Sequence, residues 1–339
     1  MKYLTPHDRF FKETFGRVEV VRDFLHHYLP MEIADLIDID TIEPQKDSFV
    51  DAGLRESFTD LLFEATINDR EGYLYFLFEH KSYLSRDIVL QLLKYMAEIW
   101  AAKMKKEGSQ LLPAIIPLVV YHGQKEWEIE SNLSQMILGY EQLPPAVRDC
   151  IPAYKYLLYD LGQYGADDIK GEAMLRAAFT MFKNIDAEGS AQLIEAFIRA
   201  TRYLQELEDE GTRREYFETL IVYVYNAGKN LTESDIDKLI KKVGTIYPEG
   251  SEAAMTIAEM LREAGMKKGL EKGMEKGMEK GMEKGIEKGL KDGIETGLKQ
   301  GLRKVIINSI RKGLPLKDIA EITGLEKEEV AKVAQGLNG

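Results

Sequence analysis

Cysteine is almost missing from this chain. Cys150 is its one thiol, which excludes an internal disulfide framework and any cysteine-built zinc cluster, and fits a reducing compartment such as the cytoplasm. Long apolar runs are missing too. None reaches the roughly 18 residues that a membrane span needs, and residues 1–8 hold no apolar segment of the export-signal kind, so a protein neither exported nor membrane-spanning is expected. There is no cation excess either: 45 Lys and Arg face 57 Asp and Glu, a formal charge of -12. That argues against coating nucleic acid through bulk charge. A Gly-x-Ser-x-Gly elbow, a Walker A loop and a Gly-x-Gly-x-x-Gly turn are all absent, which speaks against nucleotide hydrolysis. The five histidines show no metal-ligand spacing.

What is present reads as an α/β protein with a helical C-terminal region. Phe10, Phe11, Phe15, Val18, Val21, Phe24, Leu25 and Tyr28 recur at helical spacing and predict one amphipathic helix from Pro6 to Tyr28, stopped by Pro30. Ser57 to Ile67 and Tyr73 to Phe78 are aromatic and branched runs around a polar turn at residues 68–72, the pattern of a β-hairpin. A helix follows from Ser85 to Lys106, then strands over Ile115 to Tyr121 and Tyr154 to Leu161, with a further strand candidate at Ser48 to Leu54. The first half therefore reads α-β-β-α-β-β. From Gly171 to Gly228 the period is helical, and periodicity leaves open whether this region packs on the sheet or follows it.

The chemistry-bearing residues cluster on the hairpin. Asp60 lies in its first strand and Glu79-His80-Lys81 ends the second, so the turn can bring the three to one end of the sheet. Residues two apart on a strand share a face, which pairs Glu79 with Lys81 and turns His80 away. Phosphodiester hydrolysis needs a cation to offset charge on the transition state and a deprotonated water in line. Asp60 and Glu79 could hold Mg2+ (Mn2+ or Ca2+ as variants) through hard oxygen ligands, with the backbone carbonyl of His80 as a third. Lys81 would orient or help deprotonate the water. On the following helix Gln91 and Tyr95 are four apart on one face and could lean over the site. A solvated strand-end charge cluster is the competing reading, and a Tyr on an inner helix face is often core. Lys81, Arg86, Lys94, Lys103, Lys105 and Lys106 form a local cation excess that reads equally as a substrate-facing patch or a solvated helix face. Asp8 is expected to cap a helix and His122 to be hydrogen-bonded structurally.

Thr59-Asp60, Glu79-His80-Lys81 and Gln91-Leu92-Leu93-Lys94-Tyr95 together resemble the PD-(D/E)XK nucleases that carry an added Gln-xxx-Tyr motif. With His7-Asp8-Arg9-Phe10-Phe11-Lys12 and Val120-Tyr121-His122-Gly123, the chain resembles more narrowly the bacterial Rpn family of recombination-promoting nucleases and transposases, over about Met1 to Leu161. The resemblance implies a restriction-endonuclease-like mixed sheet flanked by helices and Mg2+-dependent DNA cleavage, with Asp60, Glu79 and Lys81 in the catalytic positions. Thr59 departs from the proline of the motif name, at a position that holds no ligand. A noncatalytic DNA- or protein-binding module on the same fold is the alternative.

From Gly265 to Gly301 glycine recurs every four residues, usually as Gly-Met-Glu-Lys or a near copy. Each interior glycine costs a helix roughly 1 kcal/mol against alanine, and a period of four makes the apolar stripe drift about 40° per repeat on a straight helix. A marginal spacer helix is expected. A short helix from Leu302 to Ile310 and a helix-turn-helix over Leu316 to Ile322 and Glu326 to Val333 should follow, with self-association favoured over base reading because the second helix opens on acidic residues. A transcriptional regulator built on this module is a third reading. The expected organisation is a nuclease-like core over 1–165, a helical region over 166–264, the repeat over 265–301 and the terminal module over 302–339. DNA and a second copy are the expected partners.

Overall fold

The computed structural model describes residues 5–45, 61–79, 87–108, 110–123, 125–165, 167–228 and 231–336. They divide into two compact units, 1–261 and 262–339. The first opens with α1 (Pro6–Phe15), α2 (Val18–Tyr28) and the short α3 (Met31–Ala34), then β1 (Ile37–Pro44), β2 (Leu61–Ile67), β3 (Arg70–Glu79), α4 (Ile88–Glu107) and β4 (Ala114–Tyr121). It continues through α5 (Pro145–Arg148), β5 (Leu157–Asp160), α6 (Ala173–Asn184), α7 (Ser190–Leu204), α8 (Glu210–Ala227), α9 (Glu233–Ile246) and the start of α10 (Pro248–Arg311).

Among the described residues the sheet has five strands in sequence order, β1 to β5. β1, β2 and β3 pair antiparallel; β3, β4 and β5 pair parallel, with α4 as the crossover between β3 and β4. Alternation along the strands builds two cores. Phe63, Leu74, Phe76, Leu118 and Val120 face α1, α2, α6, α7 and α8, while Tyr73, Tyr75 and Val119 face Val89, Leu92, Tyr95 and Ile99 of α4. The helical stretch after residue 171 thus shares the core of the sheet, with Leu175, Phe179 and Phe182 of α6 buried in it.

Two helices replace the single one expected between Pro6 and Tyr28. Gly16 closes α1 by donating to the Lys12 carbonyl at 2.9 Å, and Arg17 is extended (φ -89°, ψ 118°) before α2 starts. The break costs little at a glycine, the weakest helix former after proline, and it brings Phe15 and Phe24 edge to face at 5.6 Å. The hairpin is also tighter than expected. Asn68 and Asp69 alone make the turn, with φ of 49° and 58°, a left-handed pair that suits a two-residue hairpin and that Asn and Asp tolerate. β3 therefore begins at Arg70 rather than Tyr73. β1 was not expected; it pairs Ile37 with Ile67 and carries a bulge between Asp38 and Glu43. The Ser48 to Leu54 strand candidate and the start of the Ser57 strand lie outside the described residues.

In the second unit the segment Leu302 to Ile310 is the end of α10 rather than a separate helix. It packs with α11 (Leu316–Thr323) and α12 (Lys327–Gln335) around Ile306, Ile319 and Val330. Gly324, at φ 67°, makes the turn between α11 and α12. No helix among the described residues is long and apolar enough to cross a membrane.

In the first unit the Tyr159 hydroxyl is buried with no hydrogen-bond partner among the described residues, and burial pushes its phenol well up, so it stays protonated. Leaving such a group unsatisfied costs roughly 1–3 kcal/mol. Tyr159→Phe is therefore expected to leave stability unchanged or to raise it by about 1 kcal/mol in urea unfolding. A loss of that size would mean that the hydroxyl has a partner after all.

Candidate functional site

The sheet gathers its strand ends at one edge. Parallel register sets Glu79, the last residue of β3, beside Tyr121, the last of β4, and Tyr121 beside Asp160, the last of β5. β2 runs the opposite way and opens at Leu61, opposite Phe76 of β3. Asp60 immediately precedes Leu61 in the chain. Asp60, His80 and Lys81 lie outside the described residues, and Glu79 is located here by its backbone alone. The carboxyl ends of parallel strands are where α/β sheets commonly bind ligands.

α4 starts near this edge and runs back along the sheet. Gln91, at the end of its first turn, is half-buried. Tyr95, one turn on, is 3% exposed, and its ring lies 5.5 Å from that of Tyr75. The structure thus brings Gln91 and Tyr95 over the sheet face that carries Tyr73 and Tyr75, with Tyr95 set in the core. At the far end of α4 the buried Lys103 pairs with Glu71, near the start of β3, and the Tyr73 hydroxyl donates to the same carboxylate at 2.6 Å. Burial alone would raise the Glu71 carboxyl, but the hydrogen bonds from Lys103 and Tyr73 and the charge of Lys103 outweigh it and hold the group below its ordinary value. Burial, and then donation to Glu71, push the Tyr73 phenol up. Eight strand residues, about 26 Å, separate Glu71 from Glu79. The cation excess read along α4 is therefore not one patch, because Lys103 is locked into a structural ion pair away from the strand ends; Lys81 and Arg86 lie outside the described residues.

On the opposite face the end of β4 meets the N-terminal helix. His122 directly follows Tyr121 and is buried, with its ring 5.1 Å from that of His7 and 5.2 Å from Phe182. His7 Nδ1 is 2.9 Å from the Tyr223 hydroxyl, and burial, then the charge of Asp186, keeps that phenol protonated. Asp8 caps α1 as expected: it and Thr5 exchange hydrogen bonds of 2.9 and 3.2 Å in a capping box. Gly123 has a steric reason, since a Cβ there would collide with the Tyr121 hydroxyl, which donates to the Lys125 carbonyl at 2.7 Å.

Asp160 escaped the sequence reading. It is 8% exposed at the strand-end row, and its carboxylate accepts the Gly162 amide at 2.9 Å and the Trp127 amide at 3.3 Å. Both oxygens serve backbone amides, so its work is to shape the loops after β4 and β5. The signal was a single Asp closing an aromatic strand before Leu-Gly, too common to stand out. Among the described residues no group of three or more His, Cys, Asp or Glu is arranged to hold a metal ion.

A mixed sheet flanked by helices, whose parallel strands end together beside a crossover helix, defines an α/β protein. The chain belongs to the family described as "Putative transposase, YhgA-like", whose model matches residues 5–212, and so to the Rpn group. It is 27% identical over 334 residues to "Recombination-promoting nuclease RpnA" of Escherichia coli (strain K12), covering 98% of each chain. It is also 27% identical over 267 residues to "Inactive recombination-promoting nuclease-like protein RpnE" of the same strain, covering 78% of this chain and 84% of that one. Over 121 residues it is 31% identical to "Recombination-promoting nuclease RpnD" of Escherichia coli O157:H7, covering 36% of this chain and 46% of that one. No solved structure matches.

Proposed function

We propose that the protein is a metal-dependent DNA endonuclease acting in recombination or in defence against foreign DNA, within the cytoplasm. The observation that carries this reading is the strand-end row: β3 closes on Glu79 at the edge where β2, directly after Asp60, begins. Two hard carboxylates are a donor set that suits Mg2+, with the His80 carbonyl as a third oxygen. When bound, the ion offsets charge on the phosphoryl group. Lys81 orients the attacking water and steadies the developing charge, and Gln91 and Tyr95 line the site from α4. Similarity alone does not decide for catalysis, because identity to a relative named inactive equals that to one named a nuclease. That equality favours one second reading, a noncatalytic binding module. The presence of Asp60, Glu79 and Lys81 together weighs against it, since two carboxylates and a cation are the set that metal-assisted hydrolysis would use. Supercoiled plasmid incubated with purified protein and Mg2+, Mn2+ or EDTA tests the choice: cutting with either metal and none in EDTA is expected, and no cutting under any condition favours the binding module.

Self-association through the C-terminal helices belongs to the same reading. Nine apolar side chains at four-residue spacing, from Met266 to Leu298, are each at least 56% exposed along α10. A Cβ added at any of the repeat glycines would meet nothing within 4 Å. A second copy could cover this stripe, and helices following a period longer than 3.6 would wrap in the right-handed sense. Light scattering of the full chain should give a multimer mass that falls to the monomer value when residues 265–339 are removed. An unchanged mass would rule this out.

A further inference from the structure

The two units differ in the sign of their charge. Residues 1–261 hold 28 Lys and Arg against 44 Asp and Glu, whereas residues 262–339 hold 17 against 13. The reversal is concentrated at the end of α10 and the turn after it. Between Thr296 and Lys317 lie six cations, Lys299, Arg303, Lys304, Arg311, Lys312 and Lys317, with no carboxylate among them. All six are exposed. Lys299 pairs with Glu295 at 2.8 Å, and among the described residues the other five form no ion pair.

A solvated helix face would alternate its charges, and α10 does so earlier: Glu and Lys follow each other evenly from Glu271 to Lys288. Past Glu295 the alternation stops within the same helix. At 100° per residue, Arg303, Lys304 and Arg311 share a sector of about 100°, and Lys299 to Arg311 spans about 18 Å of axis. That sector borders the stripe of Ile306 and Ile310, which closes on Ile319 and Val330 of the two helices that follow. The unit has helix-turn-helix form, yet α12 opens with Glu328 and Glu329 in its first turn, which repel phosphate where a groove-reading helix would enter. The cations sit instead on the end of α10 and on the turn into α11, and in three-helix modules the turn between the first two helices contacts the backbone.

We propose that the face formed by residues 299–317 binds the sugar-phosphate backbone of duplex DNA without reading its bases. It would hold the nucleic acid through an otherwise acidic protein, because phosphate contacts position a duplex and carry no sequence information. The surface is independent of the candidate cleavage centre.

Fluorescence anisotropy of two labelled 20-base-pair duplexes of unrelated sequence, with the full chain in EDTA across a salt series, tests it. Both duplexes should bind with similar affinity. The variant Arg303→Gln/Lys304→Gln/Arg311→Gln/Lys312→Gln should bind at least tenfold more weakly at low salt. Its log–log salt slope should be shallower by about 3.6, at about 0.9 for each phosphate no longer neutralised. Arg303→Lys/Arg311→Lys, which keeps the charge, should retain the affinity, and circular dichroism controls for folding. Unchanged affinity in the quadruple variant overturns the proposal. So does unchanged affinity with a reduced mass in solution, which would assign these cations to the acidic body of a second copy. Undiminished cutting by Glu79→Gln would end the assignment of the cleavage centre, and no cutting by the parent would end the nuclease reading; either result would leave this proposal standing.

Discussion

Glu79→Gln, Asp60→Asn and Lys81→Ala are each expected to slow Mg2+-supported plasmid cleavage about 10³-fold, an effect near 4 kcal/mol on the barrier. Gln and Asn keep the shape of the carboxylates they replace and remove the charge that would hold a dication, so loss of rate with an unchanged melting temperature isolates chemistry from folding. Lys81→Ala removes the cation beside the water and should leave metal affinity largely in place. The three roles act as one unit, so a double variant should be little slower than the worse single one. Additive losses would instead mean that the residues act at separate steps. Retained cutting in all three variants would end the assignment of the centre, and the noncatalytic reading would then account for the strand-end row.

The parts of the fold written in side-chain periodicity were legible. The hairpin, the crossover helix and the α6 to α8 region follow patterns of two or of 3.6, and β4 shows as a continuous apolar run because Leu118 and Val120 enter one core and Val119 the other. What escaped was written in backbone detail. The break at Gly16 and Arg17 leaves the apolar spacing almost in phase across α1 and α2, so only the cap geometry reveals it. β1 is bulged, and its alternating Ile37-Asp38-Ile39-Asp40 is interrupted before Ile42, which hides the period of two. Lys103 looked like one more surface cation because its partner, Glu71, is distant in sequence and close only after α4 folds back. The candidate site was singled out for a different reason. The residue types and spacing of Asp60, Glu79 and Lys81 are those that the proposed metal-assisted hydrolysis would use, and the strand register that aligns β3 with β4 and β5 was not needed to name them. His7 and His122 show the converse: their pairing needs α1 to cross the end of β4, which no local pattern encodes.

Phe24→Ala is expected to be the most destabilising single change in the first unit, by about 3–5 kcal/mol. Phe24 is fully buried on α2, and its ring meets five others: Tyr159 at 4.8 Å, Tyr28 at 5.3 Å, Phe15 and Phe76 at 5.6 Å, and Phe179 at 6.1 Å. Those rings belong to α1, α2, β3, β5 and α6, so one side chain ties the N-terminal helices and the later helical region to the sheet. Truncation would open a cavity with walls on five elements, which cannot all close in together, and this places the cost near the upper end of the range for an aromatic deletion. In a unit of this size the melting temperature should fall by roughly 10 °C. At low temperature, where the variant is still folded, cleavage per folded molecule should match the parent, because the proposed site draws on the strand-end row and on α4, which packs on the other face of the sheet. A drop of only one or two degrees would mean that α2 can repack without its central ring. A large loss of activity in the folded variant would mean that the aromatic layer sets the position of β3 at the strand-end row.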